Sequence, residues 1–215
     1  MHKIIDNTEE RLVKLREEGF YPEKILDVGA NIGQFFLTVK STFPKSQVLS
    51  IEGNPNCEEL LSKNNPNYLI SLLGSEKSIT KFYINRNNDI CTGGSIYKET
   101  TEFYEDCNVM EIEMNTLDQL GEKFDFIKID VQGSELDILK GGIKTIVDCE
   151  YLLIEVSVKN YNQGSSSADE VIIFLSNLGF KIYDIFSHFY FNDKLTQVDF
   201  LFVNSRRNES KFEVR

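Results

Sequence analysis

The segment Ile25-Leu26-Asp27-Val28-Gly29-Ala30-Asn31-Ile32-Gly33-Gln34 is an apolar run that breaks at a glycine and reopens as a helix. Gly29 lets the backbone leave a strand at an angle closed to other residues and removes a Cβ that would meet a ligand, while Gly33 permits close packing of helix on strand. With Ala30 and Asn31 between them, they form a turn on which a nucleoside ligand can rest. The third glycine of the dinucleotide fingerprint G-x-G-x-x-G is missing, and Asp27 sets a carboxylate beside the turn. That carboxylate would repel a pyrophosphate, but it can bind water or an ammonium group. About twenty residues past the turn, Glu52 ends a second apolar run, in Ser50-Ile51-Glu52-Gly53-Asn54-Pro55, where an acid can accept both hydroxyls of a ribose. Glu52, with Gly53 and Asn54 after it, completes the first set of binding candidates.

S-adenosylmethionine carries no phosphate and tolerates this looser D-x-G-x-x-x-G turn, so it is the cofactor these residues predict. Downstream, Phe124-Asp125-Phe126-Ile127-Lys128-Ile129-Asp130 is again a buried-type strand with an acid at its carboxyl end, and Val131-Gln132-Gly133-Ser134-Glu135 turns into a helix. In a doubly wound sheet the first and fourth parallel strands lie side by side at the switch point, so Asp130 should face the crevice above Gly29 and join the cofactor set. Three residues qualify as a catalytic acid or base. Asp130 reads equally as a base or as a cap on the following helix. Glu135 falls in the first turn of that helix, where the dipole alone favours an acid. His188, in Phe186-Ser187-His188-Phe189-Tyr190, titrates in the useful range. Lys128 is a secondary candidate, because its stem can cross a buried strand while the ammonium reaches polar partners. Cys57, Cys91, Cys107 and Cys149 lie far apart with no C-x-x-C pair, which predicts reduced thiols and no zinc site. No metal site is read from the sequence, although Glu135 stands close enough to Asp130 to leave room for one.

The elements that must carry these residues alternate short apolar runs with amphipathic stretches, the pattern of a parallel sheet covered by helices on both faces. Strands are predicted at Lys24–Val28, Gln47–Ile51, Asn67–Leu72, Lys81–Ile84, Val109–Glu113, Phe124–Ile129, Tyr151–Val156, Lys181–Phe186 and Asp199–Val203. Helices are predicted at 8–19, 33–42, 57–64, 135–147 and 168–178. The last two strands leave no room for a crossover helix, so they should pair antiparallel at one edge. A polar, glycine-bearing stretch from Asn85 to Cys107, including Thr92-Gly93-Gly94-Ser95, suits a loop over a site. The 215 residues, 41% apolar and 27% charged, suit one domain with a shared core. We expect a helix in 1–23 packed on a Rossmann-like domain at 24–205, followed by a tail at 206–215. The formal charge of -11 argues against a nucleic-acid backbone or an anionic membrane surface as partner. The amino-terminal MHKIIDNTEERLVKLREEG has no continuous apolar stretch of the secretory kind, so a cytoplasmic location is expected, and the oligomeric state is left open.

A parallel sheet closed by an antiparallel hairpin resembles the seven-stranded class I methyltransferase fold, so the fold class expected is α/β, Rossmann-like, mostly parallel. The motifs narrow the resemblance. Asp27-Val28-Gly29-Ala30-Asn31-Ile32-Gly33, Glu52-Gly53-Asn54-Pro55, Thr116-Leu117-Asp118, and Lys128 to Glu135 running on to Leu139-Lys140-Gly141, in this order and spacing, resemble the FkbM methyltransferase family from roughly Lys24 to Glu155. That resemblance implies methyl transfer from S-adenosylmethionine to oxygen, often a hydroxyl of a sugar or other small-molecule acceptor. The family commonly has Glu where this chain has Gln132, which keeps hydrogen bonding and loses the charge, so a role as base there is in doubt. Two other readings stay open: a nicotinamide-dependent oxidoreductase using the same turn, and a nucleoside-binding scaffold without catalysis. A nucleic-acid methyltransferase would carry a basic face or an Asn/Asp-Pro-Pro-Tyr motif, and neither is present.

Overall fold

The runs Lys24–Val28 (β2) and Phe126–Ile129 (β8) lie side by side at the centre of the main sheet. Both are buried on their two faces, which is why they read as unbroken apolar runs and not as alternating ones. The computed structural model describes residues 2–85, 93–100, 107–159 and 162–207. In chain order the remaining strands are β1 (His2–Asp6), β3 (Gln47–Glu52), β4 (Tyr68–Ile70), β5 (Leu72–Gly74), β6 (Ser78–Asn85), β7 (Cys107–Thr116), β9 (Tyr151–Ser157), β10 (Phe180–Phe191) and β11 (Lys194–Asn204). The helices are α1 (Thr8–Glu17), α2 (Gln34–Thr42), α3 (Glu58–Asn64), α4 (Glu135–Gly141), α5 (Ile143–Ile146) and α6 (Ala168–Asn177).

The main sheet has eight strands in the order β1-β10-β11-β9-β8-β2-β3-β4. From β4 to β9 the pairing is parallel, and β11 then runs antiparallel between β9 and β10. This is the predicted sheet of seven strands with its closing hairpin. The hairpin turn is Asn192-Asp193, two residues with φ of 48° and 57°, the left-handed pair that matches the twist of the flanking strands. Helices cover both faces. On one side Leu136, Ile138 and Leu139 of α4 and Val171 and Leu175 of α6 pack on Leu26, Ile127, Ile129 and Ile154. On the other, Leu12 and Leu15 of α1 and Val39 of α2 pack on Ile25, Phe126 and Leu153. No helix among the described residues is long and apolar enough to cross a membrane.

Three features depart from the expectation. The first 23 residues hold a strand as well as a helix: β1 adds an eighth strand antiparallel to β10, with Ile5 opposite His188. Its five residues carry no period of their own, and the open edge of β10 is what makes them a strand. The predicted strand at Asn67–Leu72 divides, β4 staying in the main sheet while β5 leaves to pair with β7 in a separate three-stranded sheet, β5-β7-β6. That second sheet lies close on α4, since a Cβ on Gly141 would fall 2.1 Å from the carbonyl oxygen of Gly74. The helix predicted at 135–147 breaks at Gly142, where the Asp118 carboxylate accepts the N–H of Thr145 (2.9 Å) and starts α5 afresh.

Candidate active site

Gly29 leaves β2 with φ +79°, and a Cβ there would fall 1.7 Å from the backbone oxygen of Asp130. The tips of β2 and β8 therefore touch backbone to backbone. Gly29 and Ala30 donate their N–H groups to the Ile51 carbonyl (2.9 and 3.0 Å), which ties the turn to β3 as well. Asn31 follows with φ +51°, and its N–H reaches the Glu52 carboxylate at 2.8 Å. The other Glu52 oxygen takes the Asn54 N–H at 2.7 Å. Glu52 thus spans two loops, and each of its oxygens keeps a lone pair for a ligand. Burial raises its pKa, and the two backbone N–H groups draw it back. Gly33, with φ +87°, caps α2 where a Cβ would press on Asn64 (3.2 Å) and Leu61 (3.3 Å) of α3.

These residues edge a cleft at the carboxyl ends of the central strands. Asn31, Gln34, Glu52 and Asp130 form its polar wall, and Ile51, Leu72, Leu73, Phe82 and Ile138 form an apolar end. Gly53 and Gly94 make room at that end: a Cβ on Gly53 would meet Leu72 at 2.9 Å, and one on Gly94 the Phe82 ring at 2.6 Å. Ser95 is bridged to Tyr83 of β6 by hydrogen bonds of 2.8 and 3.1 Å, so this part of the predicted loop is held to the second sheet. Thr92 and Cys91 lie outside the described residues. Cys57 and Cys149 are buried free thiols and Cys107 is a half-buried one.

Asp130 lines the cleft as predicted. Lys128 Nζ donates to one of its oxygens (3.0 Å) and Gln132 Nε2 to the other (3.3 Å). Gln132 is a hub that the sequence reading did not anticipate. With φ +58°, it also donates to Glu155 (2.9 Å), and its carbonyl accepts from Ser95 Oγ and from Asn162 Nδ2, both at 2.8 Å. Gln197 joins Glu155, and Ser187 Oγ donates to Asp199. Glu155 and Asp199 are the only acids in their strands, β9 and β11, the one signal by which they stand out in the sequence.

Asp27 does not reach the cleft. It points to the α1–α2 side of the sheet, fully buried, with neither oxygen hydrogen-bonded and Lys128 Nζ 3.9 Å away. Asn54 is buried too, its Oδ1 taking the Asn56 N–H while Nδ2 has no partner. Glu135 is 3% exposed and accepts the N–H of Val131 (3.3 Å) and Gly133 (3.0 Å), so it braces the turn below Asp130 and is not among the residues lining the cleft. His188 is not brought to the site. The predicted link before the final strand is itself strand, because β10 is paired on both edges, and there His188 lies between Ile5 and Val198 with its ring edge-on to Tyr190.

Burial pushes several of these acids up: Asp27 and Asp199 to about 6, Glu135 to about 7. Burial would lower Lys128, but Asp130 and Asp27 outweigh it and hold the ammonium charged. A carboxyl whose pKa is higher in the folded chain binds more protons there than in the unfolded chain, so stability falls as pH rises from about 4 to 7. The melting temperature is therefore expected to be higher at pH 5 than at pH 8. Asp27→Asn, which removes a buried charge without changing shape, should stabilise the fold at pH 8 by roughly 1–3 kcal/mol and leave its stability nearly unchanged at pH 5. Thermal melts at the two pH values check this, and a curve that is flat or rises toward pH 8 rules out the buried protonated acids.

Similarity now bears on the site. The family model for the methyltransferase FkbM domain matches residues 27–182, which take in the glycine turn, Glu52 and the Asp130 constellation. The chain belongs to the FkbM methyltransferase family. Methyltransferase sdnD of Sordaria araneosa is 25% identical over 158 residues, 54% of this chain and 59% of the relative. Hexuronic acid methyltransferase AglP of Haloferax volcanii is 29% identical over 147 residues, 66% of this chain and 59% of the relative. The FkbM-family chain thus spans about three-fifths of the length of these curated relatives. Among solved structures, methyltransferase FkbM from Methylobacillus flagellatus KT superposes with TM-score 0.50 at 17% identity, covering 83% of this chain and 43% of that one. Magnesium protoporphyrin IX methyltransferase (ChlM) from Synechocystis PCC 6803, solved with SAM bound, gives TM-score 0.53 at 12% identity, covering 92% and 78%. At these identities the likeness is one of fold, and it agrees with the α/β sheet described above.

Proposed function

We propose that this FkbM-family chain binds S-adenosylmethionine in the cleft between the Gly29 turn and Glu52, and transfers its methyl group to a hydroxyl of a small-molecule or glycan acceptor. The observation that carries the reading is Glu52, a buried carboxylate held by two backbone N–H groups at the mouth of a cleft with one apolar end. The residues fit the cofactor. Glu52 would take the ribose hydroxyls, Leu72 and Phe82 the base, and the Gly29–Asn31 turn the amino-acid end. The orphaned Asp27 carboxylate beneath the turn favours a cationic ligand over a pyrophosphate. When bound, S-adenosylmethionine supplies a methyl carbon whose bond to sulfur breaks, the electron pair staying on sulfur, as the acceptor oxygen bonds to that carbon.

The chain's own part is to align the acceptor and remove its proton. Asp130 is the proposed base, since it lines the cleft with both oxygens oriented by Lys128 and Gln132. Glu135 acts on this turn as a brace, and no reacting group is assigned to His188. The proposed methyltransferase unit is 24–205. The charge of -11 supports a small or glycan acceptor over nucleic acid.

Calorimetric titration with S-adenosylmethionine, S-adenosylhomocysteine and NAD tests the cofactor. Binding of the two adenosyl ligands and not NAD is expected, and NAD binding alone would overturn the reading. Asp130→Asn should lower kcat on the order of 10²-fold or more with the cofactor KM changed far less, as befits a base. Equal losses in both would make Asp130 a binding residue instead.

A further inference from the structure

A second cavity opens on the other face of the glycine turn. Its walls come from β1 and the start of α1 (Asp6, Thr8), from α2 (Phe35, Thr38) and from the hairpin strands β10 and β11 (Ser187, Asp199). Lys128 lies across its floor, and Gly29, Asn31, Gln34 and Asp130 line this cavity and the first cleft alike. The two spaces therefore meet at the turn, with Asp130 common to both. We propose that this second cavity is the acceptor site, and that it takes a polyhydroxylated acceptor bearing no anionic group. The inference rests on the first cleft being the cofactor site.

Position argues first. An in-line transfer needs donor and acceptor within near-attack distance across a shared boundary, and the one acid proposed to take the proton stands on that boundary. The lining supplies matched chemistry. Hydroxyls of Thr8, Thr38 and Ser187 and the amides of Asn31 and Gln34 line it with groups of the kind that hydrogen-bond sugar hydroxyls.

Charge sets the class. Asp6, Asp130 and Asp199 face the cavity, and Lys128 is the one cationic side chain among the described residues that line it. Lys128 is already committed: it donates to Asp130 at 3.0 Å, lies 3.9 Å from Asp27, and rests over the Phe35 ring. Asp27, on the same face of the sheet, is fully buried with neither oxygen hydrogen-bonded, and adds a further negative charge beneath the floor. A carboxylate on the acceptor would enter this field with no cation left to meet it, a repulsive element that selects against uronates. In this respect the site differs from what the name of the AglP relative specifies. β1, the edge strand beside β10, supplies the outer wall and so belongs to the specificity of the cavity.

The test uses the protein saturated with S-adenosylhomocysteine and saturation-transfer NMR, with methyl α-glucopyranoside, glucosamine and glucuronate as probes. Signal is expected from the first two and at least tenfold less from glucuronate at equal concentration. Thr38→Trp, which fills the cavity from α2, should abolish the sugar signal and leave S-adenosylhomocysteine affinity within about twofold. Asp199→Asn should narrow the gap between glucuronate and the neutral probe. Failure of the wild type to bind S-adenosylhomocysteine overturns the cofactor reading and this one with it. Cofactor binding with no sugar signal, with a signal that survives Thr38→Trp, or with glucuronate bound as well as the glycoside, overturns the acceptor assignment alone.

Discussion

Gly29→Ala should cost the chain more than about 4 kcal/mol and abolish binding of the adenosyl cofactor. Two penalties add at this position. A side chain at φ +79° is strained by about 1–2 kcal/mol whatever surrounds it. The larger penalty is the Asp130 carbonyl, 1.7 Å from where the Cβ would lie, which is backbone and cannot swing aside. The tips of β2 and β8 must part, and the Gly29 and Ala30 hydrogen bonds to Ile51 go with them. Gly121→Ala separates the two effects, because Gly121 has φ +64° with nothing within 4 Å of the added Cβ, and should lose only about 1 kcal/mol. Thermal melts and calorimetric titration of both variants decide the matter. If Gly29→Ala is as mild as Gly121→Ala, the contact between the strand tips is not what the turn depends on.

The second large effect is on affinity. Glu52→Gln should weaken binding of S-adenosylhomocysteine on the order of 100-fold or more, since two charge-assisted hydrogen bonds to ribose hydroxyls are lost, each about 1.5–3 kcal/mol. The amide nitrogen also faces the N–H of Asn31 or of Asn54, donor against donor. Stability should change little at pH 8, because the variant no longer holds a charge out of water, and burial is what raises the Glu52 pKa. Affinity falling while the melt is preserved marks a ligand contact. An affinity within threefold of the parent chain would remove Glu52 from the ribose site.

Much of this fold is written in local pattern. β2, β3, β8 and β9 are buried on both faces and appear as short apolar runs, and the glycine turn and Glu52 stand where their spacing puts them. The hairpin β10–β11 follows from two apolar runs too close for a crossover. Other features depend on partners distant in sequence. β1 exists because β10 has an open edge, and β5 leaves the main sheet because β7, some forty residues on, offers a better one. The aromatic-rich run around His188 reads locally as a link before the final strand, but β10 extends through it. Glu135 sits in a first helical turn where the dipole alone favours an acid, and what decides its role is that the N–H groups of Val131 and Gly133 turn back toward it. The Lys128–Asp130 pair and the hub at Gln132 are side-chain geometry that no spacing rule encodes.

The Gln132 peptide has a mechanical consequence. Ser95 and Asn162, far apart in sequence but on segments that pair through Glu99 and Asn162, fasten to one carbonyl oxygen, while the side chain of the same residue grips Asp130 and Glu155. One residue is thus the pin of a linkage with four arms. Whatever shifts either outer arm must turn that pin, and the carboxylate on the boundary of the two cavities turns with it.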